Sequence, residues 1–172
     1  MMLNKVIITK TSKDIKDVLI SPSKTIKEIY FVITGKGYNI TVLMSGLLGQ
    51  EYYKTHGHFH KSMSAEIYQC LFGQGILLMQ RNDEQGEAKE FKVVTLVVGK
   101  TVVVPSGFGH AVVNTGKNFL VVLDNSSSDP IDHDYKTVEE KSGFAYYIVE
   151  KRGEIVFEPN PTYRVHAQIT TE

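Results

Sequence analysis

The chain has 172 residues with 19 basic and 19 acidic side chains, so its formal charge is zero. That length suits one domain with its own core, and without a broad positive field neither nucleic acid nor a membrane surface is an expected partner, which leaves a small molecule. Cys70 is the only cysteine, which excludes an internal disulfide framework and fits a reducing, cytoplasmic compartment.

At the N-terminus the apolar run Val6-Ile7-Ile8 is broken at once by Thr9 and Lys10, too short for a signal-peptide core. No later run approaches the length of a membrane span, so a soluble, unprocessed chain is expected. Residues 1–26 read as a polar N-terminal arm with one strand or helical turn, packed on the main body or on a partner subunit. From Glu28 onward, short segments rich in Val, Ile, Tyr and Phe alternate with Gly, Asn and Asp, the pattern of an antiparallel sandwich or barrel. Strands are expected near Glu28–Thr34, Tyr38–Met44, Glu51–His60, Glu66–Phe72, Ile76–Arg81, Lys89–Val94, Thr101–Val104, His110–Asn114, Phe119–Leu123 and Ala145–Val149. Turns are expected at Gly35-Lys36-Gly37, Asn82–Gly86 and Asn114-Thr115-Gly116, where the residues tolerate positive φ. A Ser- and Asp-rich loop from Asp124 to Asp134 is placed to cover the barrel mouth. It leads into a short helix over Tyr135–Lys141 closed by Gly143. Residues 159–172 lack pattern and are expected to form a mobile tail, and His166 is given no role.

The chemistry concentrates in four residues. His58 and His60 are one residue apart, which on a strand puts both imidazoles on one face while Phe59 points to the other. Glu66 and Tyr68 repeat that spacing on the next strand. His110 follows Pro105-Ser106-Gly107-Phe108-Gly109, a turn sequence whose proline and glycines fix a tight path. A lone interior histidine is more often a hydrogen-bonded core residue, and a lone glutamate is usually solvated. Three histidines and one carboxylate converging together instead fit a borderline divalent ion with open positions.

These residues resemble the two motifs of the cupin superfamily. The second is complete as Gly99, Pro105, Gly107, His110 and Asn114; the first reads His58, His60, Glu66 and Gly73, with five residues between His60 and Glu66 and its leading glycine displaced. Within that superfamily the chain resembles the cupin-type, mainly archaeal glucose-6-phosphate isomerases over roughly residues 28–164. The matching stretches are Ile40-Thr41-Val42-Leu43, Thr55-His56-Gly57-His58-Phe59-His60, Ala65-Glu66-Ile67-Tyr68, Gly73-Gln74-Gly75, Val112-Val113-Asn114-Thr115-Gly116 and His133-Asp134-Tyr135. The resemblance implies an all-β fold, a cupin double-stranded β-helix (an antiparallel jelly-roll barrel) over residues 27–158 with one short C-terminal helix. It implies a metal-dependent interconversion of glucose 6-phosphate and fructose 6-phosphate by a homodimer. It further implies one divalent ion per subunit on His58, His60, Glu66 and His110, with iron ahead of manganese, nickel, cobalt or zinc. Catalytic roles fall to Glu66, Tyr68 and His133, and substrate contacts to Thr41, Thr55, Gly57, Tyr68, His133 and Tyr135. Taken as residues alone, Thr41 and Thr55 are ordinary strand formers. Lys27, His56 and Asp124 depart from the family pattern. Two rivals stand beside it: a cupin dioxygenase, which can use the same ligand set, and a non-enzymatic sugar-binding cupin, which an appended DNA-binding segment or a site without metal would mark.

Overall fold

The computed structural model describes residues 6–62, 64–126 and 132–172. In chain order the elements are β1 (Val6–Thr11), a 3-10 turn (Lys16–Val18), β2 (Glu28–Gly35), β3 (Tyr38–Leu43), β4 (Leu47–Leu48), β5 (Glu51–Tyr52), β6 (Phe59–His60), β7 (Glu66–Phe72) and β8 (Gln74–Asn82). There follow β9 (Ala88–Val97), β10 (Thr101–Val104), β11 (Gly109–Val113), β12 (Leu120–Asp124), β13 (His133–Asp134), α1 (Lys136–Glu140), β14 (Tyr146–Lys151), β15 (Glu154–Pro159) and β16 (Ile169–Thr171). This is the expected all-β architecture with one short helix. Among the described residues no helix is long and apolar enough to cross a membrane.

A six-stranded sheet, in the order β1-β2-β3-β12-β7-β10, stands against a four-stranded sheet in the order β11-β8-β9-β16. The small sheets β13-β6 and β15-β14-β5-β4 complete the molecule. Alternation positions the core: on β7, Glu66, Tyr68 and Cys70 are buried while Ile67 and Leu71 are exposed, as the period of two requires when one face is covered. Strand β8 is different, with Gly75 to Gln80 buried without interruption. Both of its faces are covered, because Gln80 bonds the Ala145 N–H and the Tyr163 hydroxyl on the outer side, and Phe91, its neighbour across the ladder, packs on Tyr146.

Two expectations need correction, and the placement of the N-terminal arm, left open between the main body and a partner, falls on the main body. Glu51–His60 is not one strand: β5 ends at Tyr52, and the chain between the short pairs makes only isolated bridges, Lys54 to Val113 and His58 to His110. Positive φ at Gly57 (77°) breaks the pleat. The N-terminal arm is an integral edge of the large sheet, since β1 pairs along β2 from Val6 to Thr11. Beyond it Ile15, Val18 and Leu19 are buried, and the Lys54 ammonium, paired with Glu51, donates to the Val18 carbonyl at 2.6 Å. Residues 159–172 do not stand apart from the barrel: Tyr163 is buried, the His166 Nε2–H donates to the Asn160 carbonyl at 2.9 Å, and β16 runs parallel to β9. Residues 1–5 of the arm and 127–131 of the loop expected over the mouth lie outside the described residues.

Candidate metal centre and substrate cavity

Backbone pairing puts the first two imidazoles side by side. The His58 N–H donates to the His110 carbonyl at 3.2 Å, the His110 N–H returns the bond at 3.0 Å, and the two rings sit 4.6 Å apart. Two glycines make the approach feasible. A Cβ on Gly57 would lie 2.5 Å from the Phe144 ring, and one on Gly109 would lie 2.6 Å from the Phe59 ring. The Phe108 N–H closes a turn on the Pro105 carbonyl with Gly107 at φ 80°, a type II geometry that aims the chain into β11. Glu66 opens β7, with Tyr68 on the same buried face. His133 reaches the centre because β13 pairs with β6, setting it opposite His60.

The result is a cluster in which one donor atom from each of His58, His60, Glu66 and His110 lies within 4.8 Å of the others. Glu66 Oε2 is 2.9 Å from His60 Nε2 and 3.1 Å from His110 Nε2, and the Tyr68 hydroxyl is 3.0 Å from that same His110 nitrogen. His58 Nε2 is buried with no partner among the described residues. Burial, reinforced by His110, His133 and His60, holds the His58 imidazole well below its ordinary pKa, so its lone pair is free at neutral pH. Burial also acts to raise Glu66, but hydrogen bonds from His110 and His60 outweigh it and hold the carboxyl well below the usual carboxylate range. The bond to Glu66 raises His60. Three imidazole nitrogens, one of them orphaned and uncharged, and one ionised oxygen fit a borderline divalent cation.

Around this cluster a cavity of about 280 Å³ opens, near the lower end of the ~300–1,000 Å³ of small-molecule sites. Thr41, Thr55, Gly57, Tyr68, His133 and Tyr135 line it together with His58, Glu66 and His110. The Thr55 hydroxyl oxygen accepts the Val112 N–H at 3.0 Å, which leaves its own proton available. His133 Nδ1 is 3.0 Å from the Tyr135 hydroxyl, while its Nε2 is buried without a partner among the described residues. Burial lowers the His133 pKa and raises those of Tyr68 and Tyr135; all three are therefore neutral at neutral pH. Asp124 lines the same wall, its Oδ1 bound by Asn39 and Ser126, and burial raises its pKa.

Two neighbours carried no sequence signal. Asp132 lies 3.0 Å from His60 Nδ1 and also accepts the Ser62 N–H and hydroxyl, orienting the ring as an outer carboxylate orients a ligand histidine. It stands 72 positions away from His60, and only the β6–β13 pairing brings it there. Tyr30 takes the His56 N–H on its hydroxyl at 3.4 Å, a contact that depends on the strand register.

Residues 11–164 match the sequence model of the glucose-6-phosphate isomerase (GPI) family. The glucose-6-phosphate isomerase of Thermococcus litoralis is 36% identical over 126 residues, covering 73% of this chain and 63% of that protein. That of Pyrococcus horikoshii is 38% identical over 125 residues, covering 72% and 62%. The chain thus spans less than two thirds of the length of these relatives. Among solved structures, the cupin domain of Drosophila melanogaster CENP-C superposes with a TM-score of 0.43 at 15% identity, over 57% of this chain and 68% of that one.

Proposed function

Because the chain belongs to the glucose-6-phosphate isomerase family, we propose that it interconverts glucose 6-phosphate and fructose 6-phosphate in the cavity around His58, His60, Glu66 and His110. The observation that carries this reading is that one cavity opens onto His58, Glu66 and His110 of that cluster and onto Thr41, Thr55, Gly57, His133 and Tyr135.

His58, His60, Glu66 and His110 are the residues that would hold the divalent ion, iron in this reading, with manganese, nickel, cobalt or zinc suited to the same donors. An ion held there would supply Lewis acidity to the oxygens of the sugar. Glu66 is ionised and is the base that carries the proton between C1 and C2. Its low basicity is offset by position, because the Tyr68 hydroxyl remains protonated and lies within reach of the same cluster to donate toward a developing oxyanion. His133, neutral and with Nε2 facing no protein partner among the described residues, is suited to move the hydroxyl proton between O1 and O2. Tyr135 fixes its tautomer through Nδ1.

Thr41, Thr55 and Gly57 would bind the phosphoryl group through hydroxyls and backbone, holding C1 and C2 against the ligand cluster. The test is a Thr41→Val, Thr55→Val double variant, which keeps both β-branched shapes and removes both hydroxyls. Wild type should isomerise fructose 6-phosphate and leave free fructose nearly untouched, and the variant should lose turnover and affinity for the phosphorylated sugar. Equal rates of wild type on free fructose and its 6-phosphate, or a variant indistinguishable from wild type, would remove the phosphosugar reading.

The protein is also proposed to work as a homodimer in the cytoplasm. Ile67, Leu71 and Val103 stand together on the outer face of the six-stranded sheet at 43%, 41% and 54% exposure, with Ile7 exposed at its far edge. A partner's sheet would cover them.

A further inference from the structure

We propose that Lys10, on the N-terminal strand, is the cation that neutralises the substrate's phosphate and sets the enzyme's preference for phosphorylated sugars. This rests on the isomerase reading and adds to it a residue from outside every motif that identified the family. A sugar phosphate carries nearly two negative charges at neutral pH. The cavity wall already holds the carboxyl groups of Glu66 and Asp124, while Lys10 is its one lysine or arginine among the described residues. The two threonines supply hydrogen bonds and no charge.

The sheet register directs Lys10 to the cavity face that carries Thr41. It lies opposite Tyr30 on β2, and Ile8 lies opposite Val32, which lies opposite Thr41 on β3. Lys10, Ile8, Tyr30, Val32 and Thr41 therefore share the inward face, and all five line the cavity. The Tyr30 hydroxyl in turn accepts the His56 N–H, which places it beside Thr55 and Gly57. Immediately after Lys10 the β1–β2 register slips, so that Thr11 faces Glu28. A bulge of that kind re-aims side chains.

Among the described residues Lys10 makes no salt bridge. Among the described residues its electrostatic neighbour is Asp14, whose Oδ2 already accepts the Thr11 N–H at 2.7 Å and the Thr11 hydroxyl at 2.6 Å.

Lys10→Met keeps the aliphatic stem and removes the charge; Lys13→Met, at an exposed lysine of the same stretch, controls for net charge. Two readouts are used: kcat and KM for fructose 6-phosphate, and calorimetric binding of the non-isomerisable 6-phosphogluconate beside phosphate-free gluconate. With Lys10→Met, kcat/KM and 6-phosphogluconate affinity should each fall roughly ten- to a hundred-fold, the range of a hydrogen bond to a charged group. Gluconate binding and thermal midpoint should be unchanged, Lys10→Arg should recover most of the loss, and Lys13→Met should match wild type. An active wild type with an equally active Lys10→Met overturns the assignment of Lys10 and leaves the isomerase standing. A wild type that binds 6-phosphogluconate through Lys10 without isomerising fructose 6-phosphate overturns the reaction and keeps the phosphate contact. Neither turnover nor binding in wild type overturns both.

Discussion

Glu66 has two tasks in the proposed reaction, metal ligand and proton carrier, and they separate experimentally. Glu66→Gln should cost about 10²–10⁴-fold in kcat with little change in KM. In deuterated water, wild type should place solvent deuterium at C2 of the glucose 6-phosphate formed. Product without solvent label, or an unchanged rate in the metal-loaded variant, would take Glu66 out of the proton transfer. Replacing His58 and His60 together with alanine should abolish both bound metal and activity while the far-ultraviolet dichroism stays that of the folded barrel. Stoichiometric metal retained by that variant would contradict the ligand set. At this scale much of the cluster was legible in the sequence, because the His-x-His and Glu-x-Tyr spacings need only the pleat of a strand to share a face. Asp132, which holds His60 Nδ1, was not legible, since nothing in the spacing of a Ser- and Asp-rich loop says which carboxylate returns to the ring.

Among the elements, β3, β7 and β10 follow the sequence because one covered face imposes alternation. Strands β15 and β16 are mostly exposed or half-exposed, so no alternation marks them, and their pairing is set by tertiary contact. The segment before β6 escaped for a different reason: its path is fixed by Gly57, which side chains larger than hydrogen cannot replace without meeting Phe144. Gly57→Ala should therefore cost about 1–3 kcal/mol in stability and lower metal affinity, read by urea unfolding and metal titration; a neutral effect on both would deny Gly57 its positioning role. The C-terminal segment makes its own prediction. Glu87 is buried and receives the Lys141 ammonium and the Val165 and Arg164 N–H groups, and the Lys141 bond leads the causes that lower its pKa to about 2. The folded state holds that carboxylate ionised below its ordinary value of 4.5. Its contribution is complete above that value and is lost as the pH falls toward 2. Glu87→Gln should flatten the acid-side fall in thermal midpoint over this window, and an identical pH profile would contradict the anchor.

For the whole molecule, the sequence indicated an all-β barrel and a candidate metal-binding pattern, while the pairing of β1 with β2 and of β16 with β9 is set by long-range contacts that no local pattern marks. The apolar outer face of the large sheet predicts a dimer in sedimentation. Ile67→Glu with Val103→Glu, at positions paired across β7 and β10, should yield a folded monomer; wild type sedimenting as a monomer would contradict the interface. Metal-dependent isomerisation is measured most directly by a coupled assay of the purified protein with fructose 6-phosphate, before chelation, after chelation and after readdition of single divalent metals, with elemental analysis of each sample. The expected result is a rate that falls at least about 100-fold on metal removal and returns with a borderline divalent ion. Full activity in protein shown to be metal-free, or no isomerisation by metal-loaded protein, would contradict it.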